Sequence, residues 1–214
     1  RKRSSAASDV YKRQRHGGLV LQRHDDLAGD WHSLCAEALT PSAVSDEPEI
    51  PQYQNPDANP ATANDDRQTT LRGDVAAHGF WTRGTTAIFD VRITDTDAAS
   101  FQNTAPAKVL AKQEKDKKAK YGQACRQAHK TFTPLVYSVD GLEGTEASAA
   151  RKRLAARLAA KWGRQYSQIC GFIRSRVSLA LVRSTSRCLC RTRNPGLHHR
   201  RSLNLDWVAG AGLG

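Results

Sequence analysis

Two acidic residues and one basic residue set the first chemical question. Asp74 lies in LRGDV, and Asp90 follows sixteen residues later in FDVRI, with Arg92 two places beyond it. In FDVRI, Phe89, Val91 and Ile93 alternate with Asp90 and Arg92, so a strand puts both charges on one face and the apolar residues on the other. If a hairpin brings Asp74 beside Asp90, the two carboxylates repel unless a hard cation lies between them. Oxygen-rich sites of this kind suit Mg²⁺ or Mn²⁺. A cation held there can stabilise charge on a phosphoryl group in transfer. Spacing alone equally allows Asp74 and Asp90 to be surface residues, with Arg92 as a cross-strand ion-pair partner.

The elements that must position these residues can be read coarsely. Arg23 to Thr40 carries Leu27, Trp31, Leu34, Cys35, Ala38 and Leu39 at helical spacing and is stopped by Pro41. Asp46 to Thr70 is rich in Pro, Asn, Asp and Gln and predicts a loop with at most a short edge strand. Leu71–Trp81 and Thr86–Thr94 read as two strands joined by a turn at Thr82-Arg83-Gly84-Thr85. A lysine-rich helix over Ala107–His129 and a buried strand over Phe132–Val139 follow. Next come a helix capped by Thr145, with a Leu154, Leu158, Trp162 stripe, and a helix over Gln165–Cys190. The pattern predicts an α/β fold: a small mixed sheet with flanking helices in an αβββαβ-like core, plus C-terminal helices.

Composition narrows the function. The chain has 214 residues, 33 Lys and Arg against 21 Asp and Glu, a net charge of +12, and no methionine. No stretch approaches the roughly 18 apolar residues of a membrane span. Five scattered cysteines, an odd number, argue against a disulfide scaffold and for a reducing, intracellular setting. Between Arg151 and Leu205 stand fourteen basic residues and no acid, the charge pattern of a phosphate-backbone binder. On the last helix Arg176, Arg183 and Arg187 share a face and are the expected nucleic-acid contacts. Cys188 and Cys190 lack zinc-ligand spacing, and no Gly-rich phosphate loop or nucleophile elbow is present.

The termini differ from the middle. Ser4 to Gln14, SSAASDVYKRQ, resembles the conceptual translation of a sequencing adapter, so 1–14 are set aside as adapter-derived or disordered. The natural sequence is then expected to start near Arg15, inside a longer reading frame. An endonuclease-like domain with basic C-terminal helices is expected over 15–193. The stretch 194–214, which includes His198 and His199, is expected to be a disordered tail.

Asp74, then Asp90-x-Arg92, then a helix with Lys117 four residues before Tyr121, then a hydrophobic strand, resembles the PD-(D/E)XK nuclease superfamily. More closely, GGLVLQRHDDL, GDVAAHGFW, AIFDVRITDTDA, KKAKY, FTPLVYSVDG and YSQICGFIRSRVSLALVRSTSRCLC are similar to the C-terminal endonuclease-like region of reverse-transcriptase proteins of non-LTR retrotransposons. The resemblance covers roughly Gly17 to Arg193. It implies a metal-dependent DNA endonuclease of a mobile element, working in the nucleus, with Asp74 and Asp90 as metal ligands. It departs from the family pattern twice. Arg92 stands where the superfamily has Lys; an arginine cannot act as a base but can clamp a phosphate, and Lys117 can supply the ammonium. Gly73 stands where the superfamily has Pro. His24 is expected at a helix N-terminus or facing solvent, and Asp26 is a weaker metal candidate. Two other functions are open: a non-catalytic nucleic-acid-binding remnant of the same fold, and a basic module that docks an acidic protein.

Overall fold

A computed structural model of the chain describes residues 18–51 and 71–190. The expectations for 1–14 and for 194–214 therefore lie outside the described residues.

The elements, in chain order, are α1 (Gly18–Ala38), β1 (Val44–Asp46), β2 (Glu49–Ile50), β3 (Leu71–Arg72), β4 (Val75–His78), β5 (Thr86–Thr94), α2 (Pro106–Gln127), β6 (Lys130–Ser138), α3 (Thr145–Trp162) and α4 (Tyr166–Cys190). Four strands form one mixed sheet in the order β1-β4-β5-β6. β1, β4 and β5 pair antiparallel, whereas β5 and β6 run parallel from Thr86 against Lys130 to Thr94 against Ser138. A parallel pair needs a crossover, and α2 supplies it. The fold is the expected mixed α/β arrangement with flanking helices.

Strand alternation divides the interior in two. Phe89 and Val91 of β5 point into the main core with Trp31, Leu34 and Cys35 of α1, Leu154 and Leu158 of α3, and Ile173 and Leu181 of α4. Trp31 stacks on Phe89 at 6.0 Å between ring centroids, and Phe80 meets Phe89 edge-on at 4.9 Å. Ile88 points the other way, into a smaller cluster with Ala76, Tyr121 and Cys125 under α2. Asp90 belongs to that second face.

Three local expectations differ from the structure, each for a physical reason. The run Leu71–Trp81 is not one strand. It breaks at Gly73-Asp74, where Gly73 N–H donates to Pro48 O (3.1 Å) and Asp74 N–H to Phe89 O (2.9 Å). The hairpin turn is also longer than Thr82–Thr85. β4 ends at His78 because Gly79 takes a φ of +76°, and the buried ring of Phe80 drops into the core. Arg153 and Arg157 of α3 then donate to the carbonyls of Gly79, Phe80 and Trp81, satisfying backbone acceptors that a ladder would have used. Finally, Thr145 begins α3 but does not cap it. The free N–H of Glu146 is met by Glu114 Oε1 at 2.9 Å, so a carboxylate of α2 caps a neighbouring helix. Of the loop expected over Asp46–Thr70, 46–51 are described and hold the short strand β2, paired with β3, while the sheet's edge strand β1 begins before it, at Val44.

Candidate active site

The candidate centre sits where β4 gives way to the Gly73-Asp74 corner. Asp74 bonds on both sides of Asp90. Its N–H donates to Phe89 O, and its carboxylate Oδ2 accepts from Val91 N at 2.5 Å. The side chain thus continues a ladder that its own strand has left, and this fixes the carboxylate beside the middle of β5.

Asp90 is 4% exposed. Lys117 of α2 lies against its Oδ2 as a close ion pair, and the same ammonium is 5.5 Å from the centre of the Tyr121 ring. Burial holds the Asp90 carboxyl above the usual range; Lys117 pulls it down, the charge of Asp74 pushes it up, and His24 lowers it again. The contribution of Asp74 shows that the two carboxylates share one electrostatic neighbourhood.

His24 is the residue that sequence reasoning misplaced. It does not simply face solvent: its Nε2 lies 3.0 Å from Asp74 Oδ2, and its Nδ1 lies 3.2 Å from Asp25 Oδ1. A signal was present. Counting back from Trp31 and Leu27 at helical spacing reaches position 24, so the polar end of the buried stripe of α1 points at Asp74. The hydrogen bond to Asp74 is the largest cause raising the imidazole to about 9, against the opposing effect of burial.

That shift has a sign. A group charged in the fold up to about 9 and in the unfolded chain up to 6.5 contributes stability that is whole below 6.5 and is lost as pH rises through 9. Thermal melts of the protein and of His24→Gln at pH 6, 7.5 and 9.5 should therefore converge at the alkaline end. An equal pH dependence in the two proteins would place the titrating proton elsewhere.

No protein-family model matches the chain, and no curated protein matches it.

The remaining candidates are placed as follows. Arg92 is exposed on the same face of β5 as Asp90, and no carboxylate pairs with it among the described residues. Arg176 donates to Asp30 Oδ1 and Glu37 Oε1 of α1, each at 3.2 Å, and Arg187 donates to Asp26 Oδ2 at 2.5 Å. Arg183 is exposed, and its charge acts on Asp30. The shared face of these arginines thus meets the acidic face of α1, and the seam accounts for their spacing without a ligand. Asp26 is held by Arg187 and takes no part at Asp74. Cys188 is a free thiol that donates to Leu19 O at 3.6 Å. The side chain of Cys190 and the pair His198-His199 lie outside what is described.

The donor set is small. Among the described residues no group of three or more His, Cys, Asp or Glu is arranged to hold a metal ion. Two carboxylates are nevertheless the usual protein share of a Mg²⁺ site, whose remaining positions are taken by water and by the phosphate of a substrate. Asp74 and Asp90 are the two carboxylates that such a mode would use. They do not fit a closed site made entirely of protein ligands. No described helix is long and apolar enough to cross a membrane.

Proposed function

We propose that the chain is a metal-dependent endonuclease domain that hydrolyses phosphodiester bonds of DNA. The observation that carries this reading is the bracketing of Asp90 by Asp74, with the Lys117 ammonium against Asp90 on the α2 side of the sheet. Asp74 and Asp90 would hold Mg²⁺ or Mn²⁺. When bound, such an ion supplies an activated water and stabilises charge on the phosphate. The chain's own residues do the rest. Lys117 offers a cation to the phosphoryl oxygens, and Arg92, fully charged and exposed, clamps the adjoining backbone phosphate. Hydrolysis forms one P–O bond to water and breaks one to a sugar oxygen. The resemblance to retrotransposon endonucleases is what attaches the domain to mobile elements.

A second reading is favoured by one specific observation. His24 and Lys117 already neutralise Asp74 and Asp90, and Asp74 Oδ2 holds a backbone N–H. A network so complete within itself also describes a non-catalytic remnant of the same fold. Supercoiled plasmid separates the two: the proposal expects nicking with Mg²⁺ or Mn²⁺ and none in EDTA. A folded protein that never nicks, at any metal concentration, removes the nuclease reading. Arg92→Lys should keep nicking within a few-fold and shift stability by less than about 0.5 kcal/mol, because the side chain is exposed and unpaired. Arg92→Ala should slow nicking, and unchanged nicking in it would remove Arg92 from the site.

A further inference from the structure

The α4 arginines were the expected DNA contacts, yet two of the three are engaged with carboxylates of α1. Arg174 and Arg183 of α4 stay exposed without a carboxylate partner, but the closest-spaced group of open cations among the described residues lies on α2. Lys112, Lys115 and Lys120 are exposed, and no carboxylate pairs with any of them among the described residues. Their neighbour Lys118 differs, since it is bound to Glu146. Lys112 and Lys115 lie three residues apart and so share the outer ridge of the helix. Lys120 lies one turn beyond Lys117, and both ammonium groups face the Tyr121 ring, at 4.7 Å from its centre for Lys120 and 5.5 Å for Lys117.

The topology connects this ridge to the candidate centre. Tyr121 packs beside Ile88, while Lys117 meets Asp90, so α2 runs back along β5. Arg92 and Lys120 then stand on opposite sides of the Asp90–Lys117 pair. A polyanion passing over that pair meets Arg92 on one side and Lys120 on the other, while Lys112 and Lys115 stand on the outward face of the same helix. Lys112 and Lys120 share an i,i+4 ridge whose middle position is the exposed Asp116, so the positive charge of this face comes from three lysines against one acid, a net excess that suits a phosphate backbone.

We propose that the phosphate backbone of duplex DNA is carried by α2, through Lys112, Lys115 and Lys120, and not by the arginine face of α4. The route past Asp90 rests on the nuclease reading, but the binding surface does not, because it can be measured where no cleavage occurs. The experiment is a salt titration of duplex DNA binding in EDTA. The protein is compared with Lys112→Ala/Lys115→Ala/Lys120→Ala, with Arg183→Ala, and with Lys152→Ala as an exposed control on α3. The log–log salt slope of the triple variant should be shallower by about 2.7, or 0.9 for each phosphate no longer neutralised. Lys152→Ala should leave the slope unchanged. All three lysines are exposed, so equal melting temperatures show that the comparison is between folded proteins.

An unchanged slope in the triple variant overturns the proposal. So does a loss confined to Arg183→Ala, which would return the backbone to α4. Absence of DNA binding in the parent protein, with binding to an acidic polypeptide such as polyglutamate, overturns it as well. If the nuclease reading alone is wrong, the plasmid stays intact with Mg²⁺ while the slope difference persists.

Discussion

Asp90→Asn should lower metal-dependent nicking by at least about a hundredfold, because it removes one of the two carboxylates that would hold the ion stabilising the phosphoryl charge. The amide keeps the shape of the side chain in a site that is 4% exposed, so packing around it is preserved. What it loses is the charge that would hold a divalent ion and that now pairs with Lys117. A partly buried ammonium left without its carboxylate destabilises the fold, so the melting temperature should fall as well. Binding to DNA in EDTA separates the two effects, since a folded variant should bind as before or slightly tighter with less repulsion of phosphate. Asp74→Asn should behave alike, and its remaining amide oxygen can still accept the Val91 N–H. The double variant should be little worse than either single, because ligands of one ion act as a unit. Full-rate, metal-dependent nicking by Asp90→Asn would sink the proposed site.

The largest stability loss is expected from restoring what the superfamily pattern calls for. Gly73→Pro puts carbon where none fits: a Cβ at position 73 would sit 2.4 Å from Ile88 Cγ2 and 3.2 Å from Phe89 O. Ile88 is fully buried and has little room to yield. Proline also removes the N–H that donates to Pro48 O at 3.1 Å. Overpacking of this kind costs about 1–3 kcal/mol and the missing hydrogen bond about 1 more. A drop of roughly 5–15 °C in melting temperature is the expected reading. Gly73→Ala keeps the N–H and should fall between the two. If proline and glycine melt together, Ile88 can move aside and the corner is not what fixes Asp74.

Much of the fold was legible because periodicity reports burial directly. The apolar stripe of α1 describes one buried face, the alternation in FDVRI the face that carries Phe89 and Val91, and the run FTPLVYSV a strand buried on both faces, and each became the expected element. What could not be read was every contact decided by a distant segment. Nothing local says that Glu114 caps α3, or that Arg153 and Arg157 hold the carbonyls beyond β4. The resemblance assigned Lys117 to the centre, but its ion pair with Asp90 was not foreseen, and His24 on Asp74 depends on how far α1 extends toward the sheet corner. The arginines of α4 were correctly assigned to one face, but only the packing of α1 against α4 reveals that acids occupy the other side.

That seam also governs how the molecule comes together. Arg187 reaches Asp26 across 161 positions of chain and Arg176 reaches Asp30 across 146, so the two helices that cover the same core are among the most distant in sequence. During synthesis α1 leaves the ribosome long before α4 exists, with the side of its cylinder bearing Trp31 and Leu34 still uncovered. Contacts of such span make folding slow relative to chains built from local pairs, because a long loop must close before it is rewarded. A nascent chain halted within α3 presents a greasy, unfinished surface, the kind that chaperones hold and that aggregates when they do not.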